Sequence, residues 1–440
     1  MERQEKMNLA VVLAIVVVVS IILMVMKRDK RRIQWASGWR PLIGHALAYK
    51  KNPVEFIASQ SSSYFRVNLA GKRMIIIGRD PELQKEACNI SESILSARLA
   101  VASIGFTETL GEVNIKYGTD FHRATIKESG ATIHNVDSAI RAALTEGKDL
   151  ELFNVVRQAM LRAVTQSWLG DFSSKFLKEF MQFQDALEDA TAKAAVLPRF
   201  IALPLVLWPV MRMRKSLENK LISETLLSPD KPWPIAFNKQ NLDANTAATL
   251  VLGLLFAAHK NPAIAAANAF LFLKDSARAL NDNLFLEAGI LETLRLTAHS
   301  IGAVRECRVD SVRIGKDLVL RKGDCLAMAH AAICTDKEIW GQDAHLFKPE
   351  RWFVQNNGSI MIDEKNPVIY NVFSNGIHRC PGRRIALDMI KQATHTLLDL
   401  YCQGRLQLPE QIPDLSFERA TLAQRAAPIV LRLIPTTLKS

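Results

Sequence analysis

One cysteine in this chain is held between a glycine-bearing turn and the start of a helix. The stretch Phe373-Ser-Asn-Gly376-Ile-His378-Arg379-Cys380-Pro381-Gly382-Arg383-Arg384 runs directly into the helix-like IALDMIKQATHTLLDL. A sulfur at a helix N-terminus faces unpaired backbone N–H groups and the positive end of the dipole, which lowers its pKa and suits it to bind iron. Gly376 and Gly382 let the backbone turn sharply and approach a flat cofactor. The other five cysteines are scattered between positions 88 and 402 with no C-x-x-C pair, so neither a disulfide scaffold nor a zinc ribbon is expected. With 49% hydrophobic and 23% charged residues over 440 positions, the chain has material for a large core and is not disordered.

The other strong constraint is at the start. Met7 to Met26 carries no charge and only Asn8 and Ser20 as polar residues. A helix of that length is roughly 30 Å long, the thickness of a bilayer's hydrocarbon core. Lys27, Arg28, Lys30, Arg31 and Arg32 follow against Asp29, a net +4 that is a third of the chain's +12 and predicts a cytoplasmic flank. We therefore expect a single-pass anchor over residues 1–32 and one globular domain over 33–440, joined by a short stiff hinge, Trp35 to Gly44. The run Leu197 to Val210 is interrupted by Pro198, Pro204 and Pro209; it cannot span a bilayer but could dip into its interface. Tyr64 to Gly78 reads as two short strands joined around Ala70-Gly71-Lys72. Leu150 to Lys193, Asn245 to Ala279 and Arg383 to Leu400 read as helices, and Arg305 to Gly323 as short strands. The whole is mainly α with a minor β-sheet.

The pattern F-x-x-G-x-H-R-C-x-G resembles the haem-binding loop of the cytochrome P450 family. Three further motifs fall in that family's order. Glu292-Thr-Leu-Arg295 matches E-x-x-R, Phe347-Lys-Pro349-Glu350-Arg351-Trp352 matches the aromatic-x-P-E-R-W element, and Arg305 resembles the arginine that reaches a haem propionate. The resemblance implies the cytochrome P450 fold behind one transmembrane helix, and haem b held by Cys380 as axial thiolate. It implies a cofactor shell of Phe373, Gly376, His378, Arg379, Gly382 and Arg305, with a structural triad of Glu292, Arg295 and Arg351. A cysteinate ligand pushes electron density onto haem iron and favours O–O cleavage.

The distal helix departs from the family. Where the family carries an acid followed by a threonine, this chain has Lys260-Asn261-Pro262, after Ala257 and Ala258. Asn261, Ala257 and Ala258 are the candidate distal residues beside Cys380. Pro262 supplies no backbone N–H to the carbonyl of Ala258, which predicts a polar notch. The pattern is similar to the prostacyclin synthase and steroid 7α- and 12α-hydroxylase branches. The chain is also short before the distal helix and between Lys274 and Glu292.

Three functions are compatible with these residues. The first is an endoplasmic-reticulum monooxygenase that uses O2 and electrons from an NADPH-cytochrome P450 reductase, with cytochrome b5 as a further donor. It would hydroxylate, epoxidise or similarly oxidise a small hydrophobic substrate of secondary metabolism. Arg383, Arg384 and Lys391 are candidate donor-docking charges. The second is an oxygen-independent haem-thiolate isomerase or dehydratase, and the third a non-catalytic haem-binding membrane protein. Substrate-pocket residues are expected from Ser96 to Lys116, Leu197 to Met213, the helix near Ala257, and Ser300 to Val304. No nucleic-acid motif is present, and no nucleotide-binding motif either.

Overall fold

The computed structural model describes residues 33–41, 43–129, 133–144, 149–195, 197, 199–223, 229–356, 359–363, 369–419 and 421–434. The expected anchor Met7 to Met26 and its basic flank lie outside the described residues. The chain divides into Met1–Gln34 and Trp35–Ser440, and every element below lies in the second unit. It is mainly helical with small sheets.

The main sheet has five strands: β1 (Tyr64–Leu69), β2 (Lys72–Ile77), β3 (Leu95–Ser96), β4 (Ala303–Cys307) and β5 (Cys325–Met328). Their spatial order is β1-β2-β5-β4-β3, and only the β2–β5 pair is parallel. The β1–β2 hairpin turns through Ala70 at φ 51° and Gly71 at φ 103°, both left-handed, as a tight two-residue hairpin turn requires. The segment expected as a short stiff hinge is docked on this sheet. Ala36 N donates to Arg66 O at 2.8 Å, and His45 N donates to Asn68 O at 2.7 Å. Gly44, at φ +61°, lies so close to Asn68 that a Cβ there would sit 2.3 Å from its carbonyl oxygen.

The helices that position the site are α1 (Pro81–Asn89), α2 (Ala97–Ala102), α3 (Glu112–Ser129), α4 (Leu152–Trp168), α5 (Ser174–Ala194), α6 (Trp208–Ser223), α7 (Ala244–Ala258), α8 (Lys260–Leu273), α9 (Arg278–Asn281), α10 (Asn283–Leu296) and α11 (Arg383–Cys402). α7 and α8 form one long apolar rod, interrupted at His259, where φ −123° and ψ −36° leave the helical region. The cause is Pro262: its ring would meet the carbonyl of Ala258 four residues earlier. The rod is apolar and long enough to cross a membrane by length and composition, but it is the core helix, and most of it is buried in protein. α8 packs between α4, α10 and α11. Between α8 and the E-x-x-R helix α10 there is only the four-residue α9, which is where the sequence is short.

Within the stretch expected to dip into the interface, the chain is helical from Arg199 onward, through Pro204 and Pro209. A π-turn over Leu203–Leu207 takes up Pro204 by widening the hydrogen-bond ladder before α6 begins. Phe200, Leu205 and Trp208 project from it into solvent, 79%, 72% and 47% exposed.

Candidate active site

The Cys380 loop is built by local backbone geometry. Ser374 at φ 59° and Gly376 at φ 64° turn the chain, Cys380 N donates to Phe373 O at 2.9 Å, and α11 starts with Gly382 as its N-cap. A Cβ at Gly376 would lie 2.3 Å from the carbonyl oxygen of Cys88, so the glycine admits the end of α1. At Gly382 a Cβ would meet only Cys380 Sγ within 4 Å, so the sulfur sits in an open cradle. Cys380 is exposed at the junction of two cavities. Protein crowding around the sulfur pushes its pKa up, and the Gly382 N–H opposes this without overcoming it. Desolvation thus outweighs the dipole effect expected at the helix start, and the thiolate form needs a cation on the sulfur to persist.

The inner cavity has a volume of about 300 Å³. Ala257, Ala258, Asn261 and Pro262 line it from the distal rod; Phe373, His378, Cys380 and Gly382 line it from the loop. Gly376 and Arg379 line instead the outer cavity of about 1490 Å³, because the loop turns their backbone away at Gly376. Arg305 lines neither: it is buried on β4, with Nη1 donating to its neighbour's carbonyl, Val304 O, at 2.7 Å. Its Nε and Nη2 have no partner among the described residues, and its charge bears on His330, which does line the inner cavity.

His378 is engaged from the side. Its Nε2 lies 2.8 Å from Glu92 Oε2, and Glu92 also accepts from Ser96 Oγ at 2.6 Å and from the N–H groups of Ala97 and Arg98 at the start of α2. Those donors outweigh desolvation in sum and hold the Glu92 carboxyl down at about 2.

Glu292 and Arg295 are completely buried and doubly bonded, with Nε to Oε2 and Nη2 to Oε1 both at 2.8 Å. Arg351 Nε reaches Glu292 Oε1 at 3.0 Å, and Trp352 Nε1 reaches Oε2 at 3.1 Å. The remaining donors of Arg295 go to Cys334 O at 2.6 Å, Ala344 O at 2.7 Å and Leu346 O at 3.4 Å. All three residues are thus joined in one network that ties α10 to the segment before Phe353.

Several cavity residues carry no sequence signal. His122 on α3, Trp168 on α4, Trp233, His299, His330 and Leu422 all line the inner cavity. Burial holds His122 and His299 down at about 4 and His330 at about 3, so all three are neutral. Gly302 makes room for one of them: a Cβ there would sit 1.8 Å from His330 Nδ1. Of the expected pocket segments, Ser96 to Lys116 and Leu197 to Met213 contribute nothing to this cavity, whereas Gly302 comes from the expected Ser300 to Val304 stretch. Contacts between segments far apart in sequence bring the histidines in.

Lys260 does not enter the cavity. It is buried and turned toward α5, where Nζ bonds Asp185 Oδ1 at 2.8 Å and Glu188 Oε2 at 2.5 Å. Asn261 does line it, and its Oδ1 accepts from Leu422 N at 3.4 Å.

The residues around the inner cavity fit a haem. Cys380 offers a sulfur over an open glycine. Arg305 Nε and Nη2, His122 Nε2 and His330 Nδ1 are buried donors or acceptors with no protein partner among the described residues, which carboxylate groups of a prosthetic group would satisfy.

Comparison with known proteins agrees. The cytochrome P450 family model matches residues 274–431. Cytochrome P450 3A11 of Mus musculus is 31% identical over 151 residues, 34% of this chain and 28% of that protein. The probable cytochrome P450 28d2 of Drosophila melanogaster is 32% identical over 31% of this chain and 28% of its own length. The cytochrome P450 monooxygenase iliC of Neonectria sp. (strain DH2) is 33% identical over 24% of this chain and 20% of its own. The match to these curated relatives therefore spans less than a third of their length. The family-model match takes in Glu292, Arg295, Arg305, Arg351 and the Cys380 loop, and stops short of Asn261. Over residues 274–431 the chain is similar to the cytochrome P450 family, in which a cysteine thiolate ligates the haem iron.

Proposed function

We propose that this chain is a membrane-anchored haem-thiolate monooxygenase that oxidises a small hydrophobic substrate, by hydroxylation, epoxidation or a similar insertion, in secondary metabolism. The observation that carries the reading is the placement of Cys380 and Asn261 on one largely apolar cavity, with cationic and imidazole nitrogens nearby that have no partner among the described residues. When bound, the haem would supply the oxygen chemistry, with a thiolate ligand favouring O–O cleavage. The chain's own residues do the rest. Cys380 Sγ gives up its proton on ligation. Arg305, His122 and His330 neutralise or hydrogen-bond the propionates. Leu254, Leu294 and Val372 exclude water, and Asn261 keeps an amide in the cavity to orient a polar group. His378, held by Glu92, is less free for the propionates than Arg305.

Electrons would come from an NADPH-dependent reductase, with cytochrome b5 as an additional donor. The outer cavity, on the Cys380 side, is rimmed by Lys85, Arg123, Arg379, Arg383, Arg384 and Lys391 against Glu287, Asp363 and Asp388, which suits an acidic partner. Phe200, Leu205 and Trp208 together with the apolar run Met7 to Met26 suit a domain on the endoplasmic-reticulum membrane, facing the cytoplasm.

The test is the reduced carbon monoxide spectrum of purified protein: a thiolate-type band in the parent, lost in Cys380→Ala. Its persistence in that variant overturns the ligand. A second reading, an oxygen-independent isomerase or dehydratase, rests on Lys260 facing away and Asn261 bringing no acid. Conversion that proceeds without NADPH and O2 selects it. The third reading, a non-catalytic haem binder, is excluded by substrate-dependent spin shifts with turnover.

A further inference from the structure

The interruption of the distal rod is locked from behind. Lys260, the first residue of α8, has a side chain only 3% exposed, with Nζ between Asp185 Oδ1 and Glu188 Oε2 of α5. Asp185 is gripped on its other oxygen by Arg157 Nη1 of α4 at 2.8 Å, itself 3% exposed. Gln184, on the same turn of α5, receives Arg157 Nη2 at 3.2 Å and donates to Phe256 O at 3.2 Å, the last turn of α7 before the break. His259, at the break, is completely buried, with Nδ1 donating to Leu255 O at 2.7 Å. Two cations and two carboxylates from three helices therefore converge on the two residues that precede Asn261.

This arrangement costs desolvation. A buried ammonium is taken out of water at a penalty that only close, multiple partners offset. Apolar residues would pack a helix–helix contact without that cost, so the ion lock contributes geometry rather than net stability. The geometry it fixes is local: Asn261 lies in the first turn of α8, which Ala263 N closes on His259 O at 3.0 Å, and His259 itself is out of helical geometry, so the rotation of that turn relative to α5 is set by what holds it. The Lys260 tether to α5 on one side and the Leu422 N–H on Asn261 Oδ1 on the other define it.

We propose that Lys260 is a positioning residue: held by Asp185 and Glu188, it sets the orientation of Asn261 in the inner cavity, and so couples α5 to whatever occupies that cavity. The inference rests on the haem-thiolate reading of the cavity and adds a residue outside it to the distal apparatus. Because α5 runs toward the exposed apolar stretch Arg199–Leu207, a shift of that helix is transmitted to Asn261 through two ion pairs.

The experiment uses the full, haem-loaded protein and reads the dissociation constant of 4-phenylimidazole by its Soret shift, in the parent, Lys260→Met, Asn261→Ala and the double variant. Lys260→Met is expected to change the affinity about fivefold in the Asn261 background and to leave it unchanged once Asn261 is alanine, a coupling of the size found between residues acting on one another. Lys260→Arg, which keeps the ion pairs, restores the parent value. Equal effects in both backgrounds, or a lower unfolding midpoint with an unchanged dissociation constant, overturn the proposal. If Lys260→Met does not fold, Asp185→Asn, altered at the half-exposed end of the lock, is carried through the same cycle: a fivefold change that vanishes with Asn261→Ala supports the coupling, and equal effects in both backgrounds overturn it. A preparation with no thiolate-type carbon monoxide band refutes the underlying haem reading instead, so the two failures are distinct.

Discussion

Glu92 Oε2 lies 2.8 Å from His378 Nε2, joining the residue two before the cysteine to the N-terminus of α2. The carboxylate also receives one hydroxyl and two backbone N–H groups, so it links the loop under the cavity to the segment beyond β3. Its pKa is held down at about 2 from an ordinary 4.5. A depressed carboxyl stabilises the fold at pH values above its unfolded pKa, and the stabilisation is lost as pH falls from about 4.5 toward about 2. The stability difference between parent and Glu92→Gln, from urea unfolding, should therefore be constant above pH 5 or so and shrink below about 4.5. A difference that stays constant through that window would show that the native carboxylate gains nothing from these donors.

The Glu292–Arg295 pair has no exposure at all. Removing the guanidinium leaves a buried carboxylate with Arg351 as its remaining cationic partner beside the Trp352 and Lys348 N–H donors, and breaking such a pair typically costs about 3–5 kcal/mol. Arg295→Met should lose about that much in chemical unfolding, and Glu292→Gln with Arg295→Met should recover part of it, since no unbalanced charge then remains inside. A single-variant loss below about 1 kcal/mol would mean that the site relaxes or hydrates freely.

Burial holds His259 down at about 3 from an ordinary 6.5, with Arg157 adding to the effect. The folded protein keeps it neutral while the unfolded chain takes up a proton below pH 6.5, so stability must fall as pH drops from 6.5 toward about 3. One such proton contributes a slope of about 1.4 kcal/mol per pH unit. His259→Gln should remove that share of the slope between pH 6 and 4 or so; an unchanged slope would place the proton uptake on other histidines.

Cys380 and Cys402 are exposed, whereas Cys88, Cys307 and Cys334 are buried. Iodoacetamide followed by mass spectrometry should label Cys380 and Cys402 in haem-free protein and spare the three buried thiols. Loading haem should protect Cys380 and leave Cys402 reactive. Protection of neither, or of both, would contradict Cys380 as the ligand.

The local geometry of the candidate site was legible because it is written in short spacings. The cysteine loop, the E-x-x-R pair and the element around Arg351 depend on spacings of a few residues, which fix turns and helix faces before any packing occurs. The β1–β2 hairpin and the break before Pro262 follow equally from local steric rules at Ala70-Gly71 and Pro262. That Gly376 admits the end of α1 was not legible. Its contact is the carbonyl of Cys88, 288 positions earlier, and no local pattern carries that information.

The sequence by itself determined a mainly helical chain, a cysteine presented at a helix start, and an amide where the family has an alcohol. Only the tertiary structure decided the directions. Lys260 and Asn261 are adjacent, yet one is drawn to carboxylates on α5 and the other lines the cavity. A buried ammonium must find its counter-charges wherever the fold brings them, and these sit 75 and 72 positions away in sequence. For the same reason the neutral histidines 122, 299 and 330 became cavity residues, since desolvation is a property of the assembled core and not of any segment within it.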